Sequence, residues 1–463
     1  MPETRRVDVD AIVRVLMPHE EHAGVFEEAV GFRTSTATSY KGVHLMNDLA
    51  QSVLGGAPAH GGDFLARVMR ADVEGEGNAE HELRAHKVFG AAFSAAFPLA
   101  LGADRVTSIR AAARDVLGFD GGVYAPGTSM CSPLATHLDL LGFEGFRRFG
   151  VGRFLADVLP EAGRARLRAA FESDRDPVTR AFRPLLLPAT LENRQARTRR
   201  VVERSAFDRA FGDALTALMA QPLSKPALLR AVALGASLCL VLKVLGAGRD
   251  GGRPVALALA PAEDGGRKVL REEAVACVRK AVERLDARAA ALIPKHPTAA
   301  DLLKKPGPKA PAIEVPDEAD PTAFYETIVA ASRKVEGVYH PEDFAIAFGR
   351  KAGCVLPQSD RAGWGRHLAL TPEFVEILVL MFVPHRAPPM PWPTFWREVR
   401  EVFGVVIGAN PTADARFLAS AGIENVSEEG LVDNAEAILA AAVVRGIARR
   451  LPDGDAEVGG ELV

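Results

Sequence analysis

Four histidines near the N-terminus are the residues whose type and spacing come nearest to a metal site. His19 and His22 are three residues apart, so both imidazoles could face one ion from a single helix. His81 and His86 are five residues apart, whereas two ligands on one face of a regular helix need a separation of four. We therefore predict no metal and no cofactor. A metal-dependent hydrolase that combines these histidines with nearby carboxylates is kept as an alternative.

A second set of reactive side chains lies between residues 129 and 139. Ser129 and Cys131 are possible nucleophiles, and His137 and Asp139 follow them as a possible base and orienting acid. Short separation in sequence does not by itself bring such groups together, and the Gly-x-Ser-x-Gly turn that exposes a nucleophilic serine does not occur here. We predict no catalytic residue, with a serine- or cysteine-type hydrolase as the alternative.

The glycine-bearing loop Gly122–Ser129 has the frame of a phosphate-binding loop without its chemistry. Thr128 stands where that motif requires a lysine, so the point charge for the terminal phosphates is lacking. No apolar strand precedes the loop in the sequence. The segment is predicted to be a structured turn.

The region from Glu161 to Ala210 is strongly basic, with twelve arginines, no lysine and seven acidic residues. Three of its arginines recur at helical spacing and fall on one side of a helix, and such a stripe can hold phosphates or another acidic surface. The predicted binding residues are the three members of this stripe and two neighbours, namely Arg194, Arg197, Arg199, Arg200 and Arg204. The stripe itself is Arg197, Arg200 and Arg204.

Two observations weigh on that prediction. Between Asn193 and Ser205 no aromatic residue alternates with the arginines, so stacking on nucleic-acid bases is unsupported. Glu192, Glu203 and Asp208 lie close enough in sequence to pair with the arginines on an ordinary solvated helix. Both interpretations, a partner-binding stripe and a solvated helix, remain open.

Length and composition describe an ordinary large soluble protein. At 463 residues the chain suggests roughly three domains, from about one per 150 residues. Apolar residues make up 48% and charged residues 25%, and the net charge of −3 provides no overall attraction to nucleic acid or anionic membrane. The four cysteines form no Cys-x-x-Cys pair and the N-terminus shows no signal peptide, so a cytoplasmic location without membrane contact is expected.

The stretch from Pro226 to Ile293 is the part around which the rest of the chain is expected to be organised. Ala227–Leu245 is apolar on all sides, which predicts a helix buried in a protein core. Only twelve residues separate Arg230 from Lys243, which is too few for a membrane span of roughly 20 apolar residues.

The residues that follow predict a β-hairpin and then an amphipathic helix. Pro254–Ala260 and Lys268–Leu270 are apolar runs on either side of an Asp-Gly turn. From Arg271 onward, apolar residues recur at alternating steps of three and four, so they share one helical face. This face comprises Val275, Val278, Val282, Leu285, Ala289 and Leu292.

Residues 294–322 form the clearest predicted boundary. Seven prolines alternate with lysines there, and proline at this density predicts a semi-rigid, extended linker instead of regular structure. The chain is therefore expected to contain an N-terminal mainly helical domain, an arginine-rich and central helical region, the linker, a helical segment and a C-terminal domain. The corresponding ranges are 1–150, 151–293, 294–322, 323–389 and 390–463.

The element order predicted for the C-terminal segment is helix, strand, helix, helix and a two-stranded turn. The helices are expected at Pro393–Phe403, at Thr412–Ala421 and from Ser427 onward, and Pro452 begins the final turn. This order resembles a winged-helix domain over about residues 390–460. The resemblance implies a third helix of the kind that commonly enters the DNA major groove.

The charge of this third helix does not suit a DNA-reading role. It carries Glu428, Glu429, Asp433 and Glu436 against one arginine, and residues 393–463 contain twelve acids and six arginines. Because phosphate neutralisation supplies most non-specific affinity for DNA, an acidic helix disfavours direct DNA contact. A winged helix that contacts another protein is the preferred interpretation.

The sequence thus predicts a mainly α, multi-domain protein with a small β-hairpin in the middle and a C-terminal winged-helix-like domain. Its expected function is that of a non-catalytic scaffold or adaptor in a bacterial multi-protein assembly. Its expected partners are other protein subunits, with nucleic acid as a further candidate for the arginine-rich middle. The segregated charge is compatible with accessory subunits of DNA-directed or phage-defence systems. The alternatives are the hydrolases described above and a direct DNA-binding regulator.

Overall fold

The structure is a computed structural model of the 463-residue chain. It describes two long stretches in the C-terminal half, several shorter ones before them and a few isolated residues. The described residues are 4–18, 22–34, 42–54, 57–58, 81, 84, 94, 98–100, 150–172, 191–192, 204–261, 270–302, 311–316, 321–357 and 365–459.

Helices make up most of the described residues and the strands are short, which confirms the mainly α class. The helices are α1 (Val9–Leu16), α2 (Val25–Val30), α3 (Gly42–Leu54), α4 (Val151–Val158), α5 (Glu161–Glu172), α6 (Ala206–Leu218), α7 (Lys225–Gly246), α8 (Arg271–Leu292), α9 (Ala299–Leu302), α10 (Pro321–Ser332), α11 (Pro341–Ala352), α12 (Pro372–Phe382), α13 (Trp392–Phe403), α14 (Pro411–Ala419) and α15 (Glu428–Val444). The strands are β1 (Thr4–Asp8), β2 (Ala57–Pro58), β3 (Leu191–Glu192), β4 (Ala256–Leu259), β5 (Ala312–Pro316), β6 (Val355–Leu356), β7 (His367–Ala369), β8 (Met390–Pro391), β9 (Val405–Val406), β10 (Ala448–Arg450) and β11 (Ala456–Val458).

The chain divides into two compact units, each assembled from separated parts of the sequence. The five consecutive segments expected from the sequence stay a prediction. Unit 1 consists of residues 1–39, 202–211 and 238–463, and unit 2 of residues 40–201 and 212–237. Unit 1 is assembled from separated parts of the chain because β1, at the N-terminus, pairs antiparallel with β5.

A four-stranded sheet with the order β6-β7-β4-β9 forms the centre of unit 1. Strand β4 pairs in parallel with β7 on one side and with β9 on the other, and β6 runs antiparallel to β7. All four residues of β4 are buried, as expected for a strand covered on both faces. The hairpin predicted around Pro254–Ala260 is therefore wrong, because both edges of β4 are taken by strands from far along the chain.

The amphipathic helix expected from Arg271 is present as α8 and packs on this sheet. Its deepest positions are occupied by small residues, among them Ala274, Cys277 and Ala281, and Leu285 lies in the same buried stripe. The predicted valines flank that stripe and are only half-buried. The small side chains let the helix approach the strands more closely than valine would.

The buried helix expected at Ala227–Leu245 is α7, a helix of 22 residues. Over Ala227–Gly246 it is long and apolar enough, by length and composition, to cross a membrane, although 89% of this window is buried inside the protein. Burial in the protein, and not the short distance between Arg230 and Lys243, therefore identifies α7 as a core helix. Arg230 is exposed, whereas Lys243 is buried and paired with an acid.

The described parts of the proline-rich segment 294–322 include regular secondary structure and buried residues. Ala312–Pro316 is strand β5, and Leu302 and Val315 belong to a core that also contains Val7 and Phe26. The linker prediction is wrong for Ala312–Pro316, because this segment pairs with β1 near the N-terminus and its apolar side chains are buried there. Proline is tolerated here since β1 and β5 form a sheet of two edge strands.

The C-terminal elements follow the predicted order, as α13, β9, α14, α15 and the pair β10–β11. Their pairing differs from the expectation in one respect, because β9 joins β4 in the central sheet. The third strand beside β10 and β11 is β8, which precedes α13. Trp392, Phe395 and Trp396 lie buried at the start of α13 and pack on one another, with ring centroids 5.2–6.2 Å apart.

Unit 2 contains a close contact between α3 and α4. The Asp48 carboxylate accepts a hydrogen bond at 2.6 Å from the backbone N–H of Gly152. A Cβ at Gly152 would lie 2.2 Å from the backbone nitrogen of Leu49, so only glycine permits this approach. Arg168 on α5 donates to the carbonyl oxygen of Val53 at 3.0 Å and ties a third helix to the pair.

Candidate functional site

One member of the predicted arginine stripe lies in the described part of the chain. Arg204 is exposed just before α6, and its carbonyl oxygen accepts a hydrogen bond at 3.1 Å from Arg209. The other four predicted binding residues, Arg194, Arg197, Arg199 and Arg200, lie outside the described residues. The common face of Arg197, Arg200 and Arg204 therefore stays a prediction.

The histidines of the sequence-based metal hypothesis are only partly described. His22 and His81 are exposed, while His19 and His86 lie outside the described residues. The ring of His22 is 6.4 Å from that of His296. Within the described ranges, no group of three or more His, Cys, Asp or Glu side chains is placed to hold a metal ion.

The nucleophile hypothesis and the phosphate-loop comparison both fall outside the described residues. This holds for Ser129, Cys131, His137 and Asp139 and for the loop Gly122–Ser129. The three described cysteines, Cys239, Cys277 and Cys354, are buried and unbridged. Burial raises the pKa of Cys277 to about 11 and that of Cys354 to about 12, so these thiols stay protonated and unreactive at neutral pH.

A polar network in unit 1 joins titratable side chains that the sequence analysis does not single out. Arg333, just after α10, donates to Glu342 of α11 at 2.5 Å and to Asp286 of α8 at 2.8 Å. Glu342 is buried, Asp286 is half-buried and Arg333 is exposed. Three helices are thus held together by one guanidinium between two carboxylates.

His340 extends this network toward a hydroxyl group. It is the N-cap residue of α11, and its Nε2 lies 3.4 Å from Oγ of Ser332. Its Nδ1 lies 3.9 Å from Oε1 of Glu342, and its ring centroid is 4.9 Å from that of Phe26. A hydroxyl, an imidazole and a carboxylate therefore follow one another in the order used by nucleophilic hydrolases.

The environment of this trio argues for a structural role. Ser332 is fully buried and donates its hydroxyl proton to the carbonyl oxygen of Val329 at 2.6 Å, so the oxygen is oriented into its own helix. A nucleophile must also meet a substrate, and Ser332 has no exposed surface. The geometry therefore connects α10 to α11 and does not form an accessible reactive centre.

The ionisation of the network follows from its burial. Burial lowers the pKa of His340, and the nearby Arg333 charge lowers it further. Burial raises the pKa of Glu342, against the opposing effect of Arg333. Nδ1 of His340 and Oε2 of Glu342 are buried atoms without a hydrogen-bond partner among the described residues. The neutral imidazole is the form that this site favours.

A buried lysine in unit 1 is the second candidate for chemistry. Nζ of Lys243 lies 2.7 Å from Oδ1 of Asp208 and donates to Oδ2 at 2.8 Å. Burial lowers the pKa of Lys243, whereas the Asp208 carboxylate raises it. A nucleophilic lysine needs a free, approachable amine, and this one is buried against a counter-ion. The pair is therefore a stabilising contact between α6 and α7.

Asp208 also closes the first turn of α6. Its backbone N–H donates to Oγ of Ser205 at 3.1 Å, and its Oδ2 accepts from the backbone N–H of Ser205 at 2.9 Å. This reciprocal arrangement is a capping box, which satisfies two backbone donors at the helix start. The Ser-x-x-Asp pattern could have been recognised in the sequence, but its pairing with Lys243 could not.

The carboxyl edge of the parallel strands is where an open sheet of this topology would bind a ligand, at the point where the strand order reverses. Here Asn434 of α15 fills that position. Its Nδ2 donates to the carbonyl oxygens of Ala258 and Ile407, both at 2.9 Å, and its Oδ1 accepts from Ala260 N–H at 2.9 Å. The polar groups at these strand ends are thus satisfied by a side chain of the protein itself.

Helix α15 exposes a mixed acidic and apolar surface, which we call the α15 face. It consists of residues that recur at helical spacing, namely Glu429, Val432, Asp433, Glu436 and Val444. Val444 is 86% exposed and Val432 is 44% exposed, although valine is usually buried. Glu436 is paired at 2.5 Å with Arg450 of β10.

Comparisons of the chain with protein-family models, with curated proteins and with solved structures find no match.

Proposed function

We propose that this protein is a non-catalytic adaptor that binds a basic protein partner through the α15 face. The observation that carries the proposal is the exposure of Val444 and Val432 among the acidic residues of one helix. Apolar side chains supply the area that a protein interface buries, and the surrounding charge selects the partner. We further propose that the C-terminal segment is a winged-helix-like domain whose third helix contacts protein.

The composition of the α15 face supports a protein partner over DNA. The helix Glu428–Val444 contains four acidic residues and no lysine or arginine, so it would repel phosphates. Arg445 and Arg450, which lie near its C-terminal end, are engaged with Glu373 and Glu436. A direct DNA-binding regulator that used this helix would require the opposite charge.

The surroundings of the reactive groups support an adaptor over a hydrolase. In the described part of the chain, Ser332 and Lys243 are the groups with the most nucleophile-like geometry, and both are buried in contacts that join helices. A hydrolase built from His19, His86, Ser129 or Cys131 remains the alternative, because these residues lie outside the described ranges.

The arginine-rich middle provides the second surface of the proposed adaptor. Arg204 is exposed, as a residue of such a surface must be. We propose that Arg194, Arg197, Arg199, Arg200 and Arg204 contact an acidic protein surface or nucleic acid. An adaptor with one acidic and one basic surface can bind two partners of opposite charge.

The test is capture of partners by the full chain with and without an intact α15 face. A tagged chain is expressed in its native host, cross-linked and purified, and the bound proteins are identified by mass spectrometry. The variant carries Glu429→Lys and Val444→Asp, and the matched control carries Glu326→Lys, another exposed glutamate of unit 1.

We expect wild type and the Glu326→Lys control to recover the same protein with a basic surface, and the double variant to lose it. The purified partner should then bind wild type directly. Equal recovery by all three forms would contradict the assignment of the α15 face. Recovery of DNA without any protein would favour the DNA-binding regulator instead.

A further inference from the structure

Three arginines that sequence spacing does not connect come together in unit 1. Arg249 and Arg253 lie in the glycine-rich segment between α7 and β4, and Arg284 lies on α8. Arg249 and Arg284 are half-buried, and Arg253 is exposed. They are separate from the five arginines predicted from the sequence.

Two of the three guanidiniums are fixed beside the C-terminal end of α14. The Arg253 guanidinium lies over the ring of Phe417, with its carbon 5.6 Å from the ring centroid. Arg284 donates to the carbonyl oxygen of Ala421 at 2.6 Å. Phe417 lies in the last turn of α14 and Ala421 lies two residues beyond the end of that helix, so both guanidiniums contact the same end of α14.

The third arginine is brought to the same place by a close contact of the backbone. A Cβ at Gly248 would lie 2.4 Å from the carbonyl carbon of Arg284, so the segment after α7 is pressed against α8 at this residue. Arg249 follows directly. Its pKa is lowered, first by burial and then by repulsion from Arg284 and Arg253, against a weaker opposing effect of Asp250.

A purely structural role explains two members of this group but not the third. Arg284 satisfies a carbonyl group near the end of α14, and Arg253 donates to the carbonyl oxygen of Glu401. The backbone of Arg249 is hydrogen-bonded to Gly246 and Gly252, but its guanidinium makes no hydrogen bond or ion pair within the described part of the chain. A half-buried guanidinium held beside two others is electrostatically costly unless an anion neutralises it.

We propose that Arg249, Arg253 and Arg284 form a binding site for a phosphate group. Each guanidinium offers five N–H donors in a planar fork, and the contacts to backbone carbonyls leave most of these donors free for an anion. A phosphate oxygen pair matches that fork, and its negative charge offsets the mutual repulsion of the three arginines. Two of the three are held in place before the anion arrives, which lowers the entropic cost of binding.

The position of this site connects it to the predicted basic region. A Cβ at Gly252 would lie 2.8 Å from Oγ of Ser205, so the segment that carries Arg249 and Arg253 packs against the residue next to exposed Arg204. The inference stands independently of the adaptor role, because it requires neither the α15 face nor a protein partner. The phosphate can belong to a soluble nucleotide or to a nucleic-acid backbone, and both sources present the same chemistry.

The experiment measures binding of inorganic pyrophosphate by calorimetry and of a short labelled DNA duplex by fluorescence anisotropy, with the full chain. Arg249→Ala removes the guanidinium that has no hydrogen-bond or ion-pair partner among the described residues. Arg249→Lys keeps the charge without the planar fork. The matched control is Arg397→Ala, an exposed arginine on α13 of the same unit.

We expect Arg249→Ala to weaken binding of at least one probe about tenfold, Arg249→Lys to weaken it less, and Arg397→Ala to leave it unchanged. Pyrophosphate binding that responds in this way identifies a soluble phosphate ligand. A response confined to the duplex, together with a shallower salt dependence, identifies a nucleic-acid backbone.

Two results would overturn the proposal. One is that neither probe binds wild type at low ionic strength. The other is that Arg249→Ala and Arg397→Ala weaken binding equally, which would indicate general attraction to basic side chains. The Glu429→Lys and Val444→Asp variant should keep phosphate binding, so failure of the adaptor function and failure of this site remain distinguishable.

Discussion

The side-chain nitrogen of Asn434 lies 2.9 Å from the carbonyl oxygen of Ala258 and holds helix α15 at the carboxyl end of strand β4. The same amide group also contacts Ile407 and Ala260, so one residue satisfies two carbonyl groups and one N–H at the strand ends. Asn434 is 1% exposed, and its loss cannot be compensated by bulk water.

Replacing Asn434 by leucine should therefore destabilise unit 1. The change leaves backbone groups of Ala258, Ile407 and Ala260 without their partner, and each buried unsatisfied group costs about 1–3 kcal/mol. We expect a loss of at least about 3 kcal/mol in the free energy of unfolding, measured by urea denaturation. Ser420→Ala, at an exposed position of the same unit, is the control and should change little. A loss no larger than that of the control would show that Asn434 is dispensable.

Gly408, which follows β9, should resist substitution for two separable reasons. Its φ of 98° is unfavourable for other residues, and an added Cβ would lie 2.0 Å from the carbonyl oxygen of Leu431 on α15. Gly422 also has a positive φ, of 79°, but nothing lies within 4 Å of its Cβ position.

Gly422→Ala is thus a matched control for Gly408→Ala. We expect the control to lose about 1 kcal/mol from backbone strain alone. Gly408→Ala should lose at least about 2 kcal/mol more in the same denaturation experiment, because strand and helix must separate to admit the methyl group. Similar losses in both variants would mean that α15 does not approach β9 as closely as described.

The helices were predictable from the sequence where their pattern is local. The all-apolar run of α7 and the three-and-four periodicity of α8 predict helices, and both helices are confirmed. The buried stripe of α8 is displaced from the predicted face, because small residues such as Ala274 and Cys277 occupy the deepest positions. The pairing of β4 was not predictable in this way. Its run of four buried apolar residues is equally consistent with a hairpin arm and with a buried parallel strand, and its partners Leu368 and Val405 lie far away in sequence.

The candidate sites were less predictable than the fold because they depend on contacts between distant segments. Nothing in the sequence near Arg249 indicates that Arg284 lies beside it, since that proximity arises from the contact at Gly248. The proline content of residues 294–322 likewise gave no sign that Ala312–Pro316 pairs with Thr4–Asp8. The composition of a segment predicts its local secondary structure. Contacts such as these form only when distant segments of the chain fold together.

The buried pair of Lys243 and Asp208 yields a third prediction about stability. Lys243→Met leaves the Asp208 carboxylate buried beside an apolar side chain, which should cost about 3–5 kcal/mol. Combining Lys243→Met with Asp208→Asn should cost less than the sum of the two single changes, because no unpaired charge remains. Unfolding of all four forms by urea completes the cycle. Strictly additive losses would show that the two groups do not act as a pair.

His340 should make unit 1 sensitive to mild acid. Its pKa is lowered in the folded protein, first by burial and then by Arg333, while Asp286 and Asp343 oppose the shift. The unfolded chain therefore binds a proton at a higher pH than the folded chain does. The stability that this group contributes is present above its unfolded pKa of about 6.5 and is lost as the pH falls below that value.

Replacing His340 by glutamine removes the titrating group while retaining a polar side chain. We expect the free energy of unfolding of wild type to fall between about pH 7 and pH 5, and that of His340→Gln to fall less over the same range. Glu342 titrates with the opposite sign, because burial raises its pKa, so its contribution makes the folded state more favourable as the pH falls. His385→Gln, at an exposed histidine of the same unit, should reproduce the wild-type dependence. A pH dependence unchanged by His340→Gln would contradict a neutral, buried imidazole between α10 and α11.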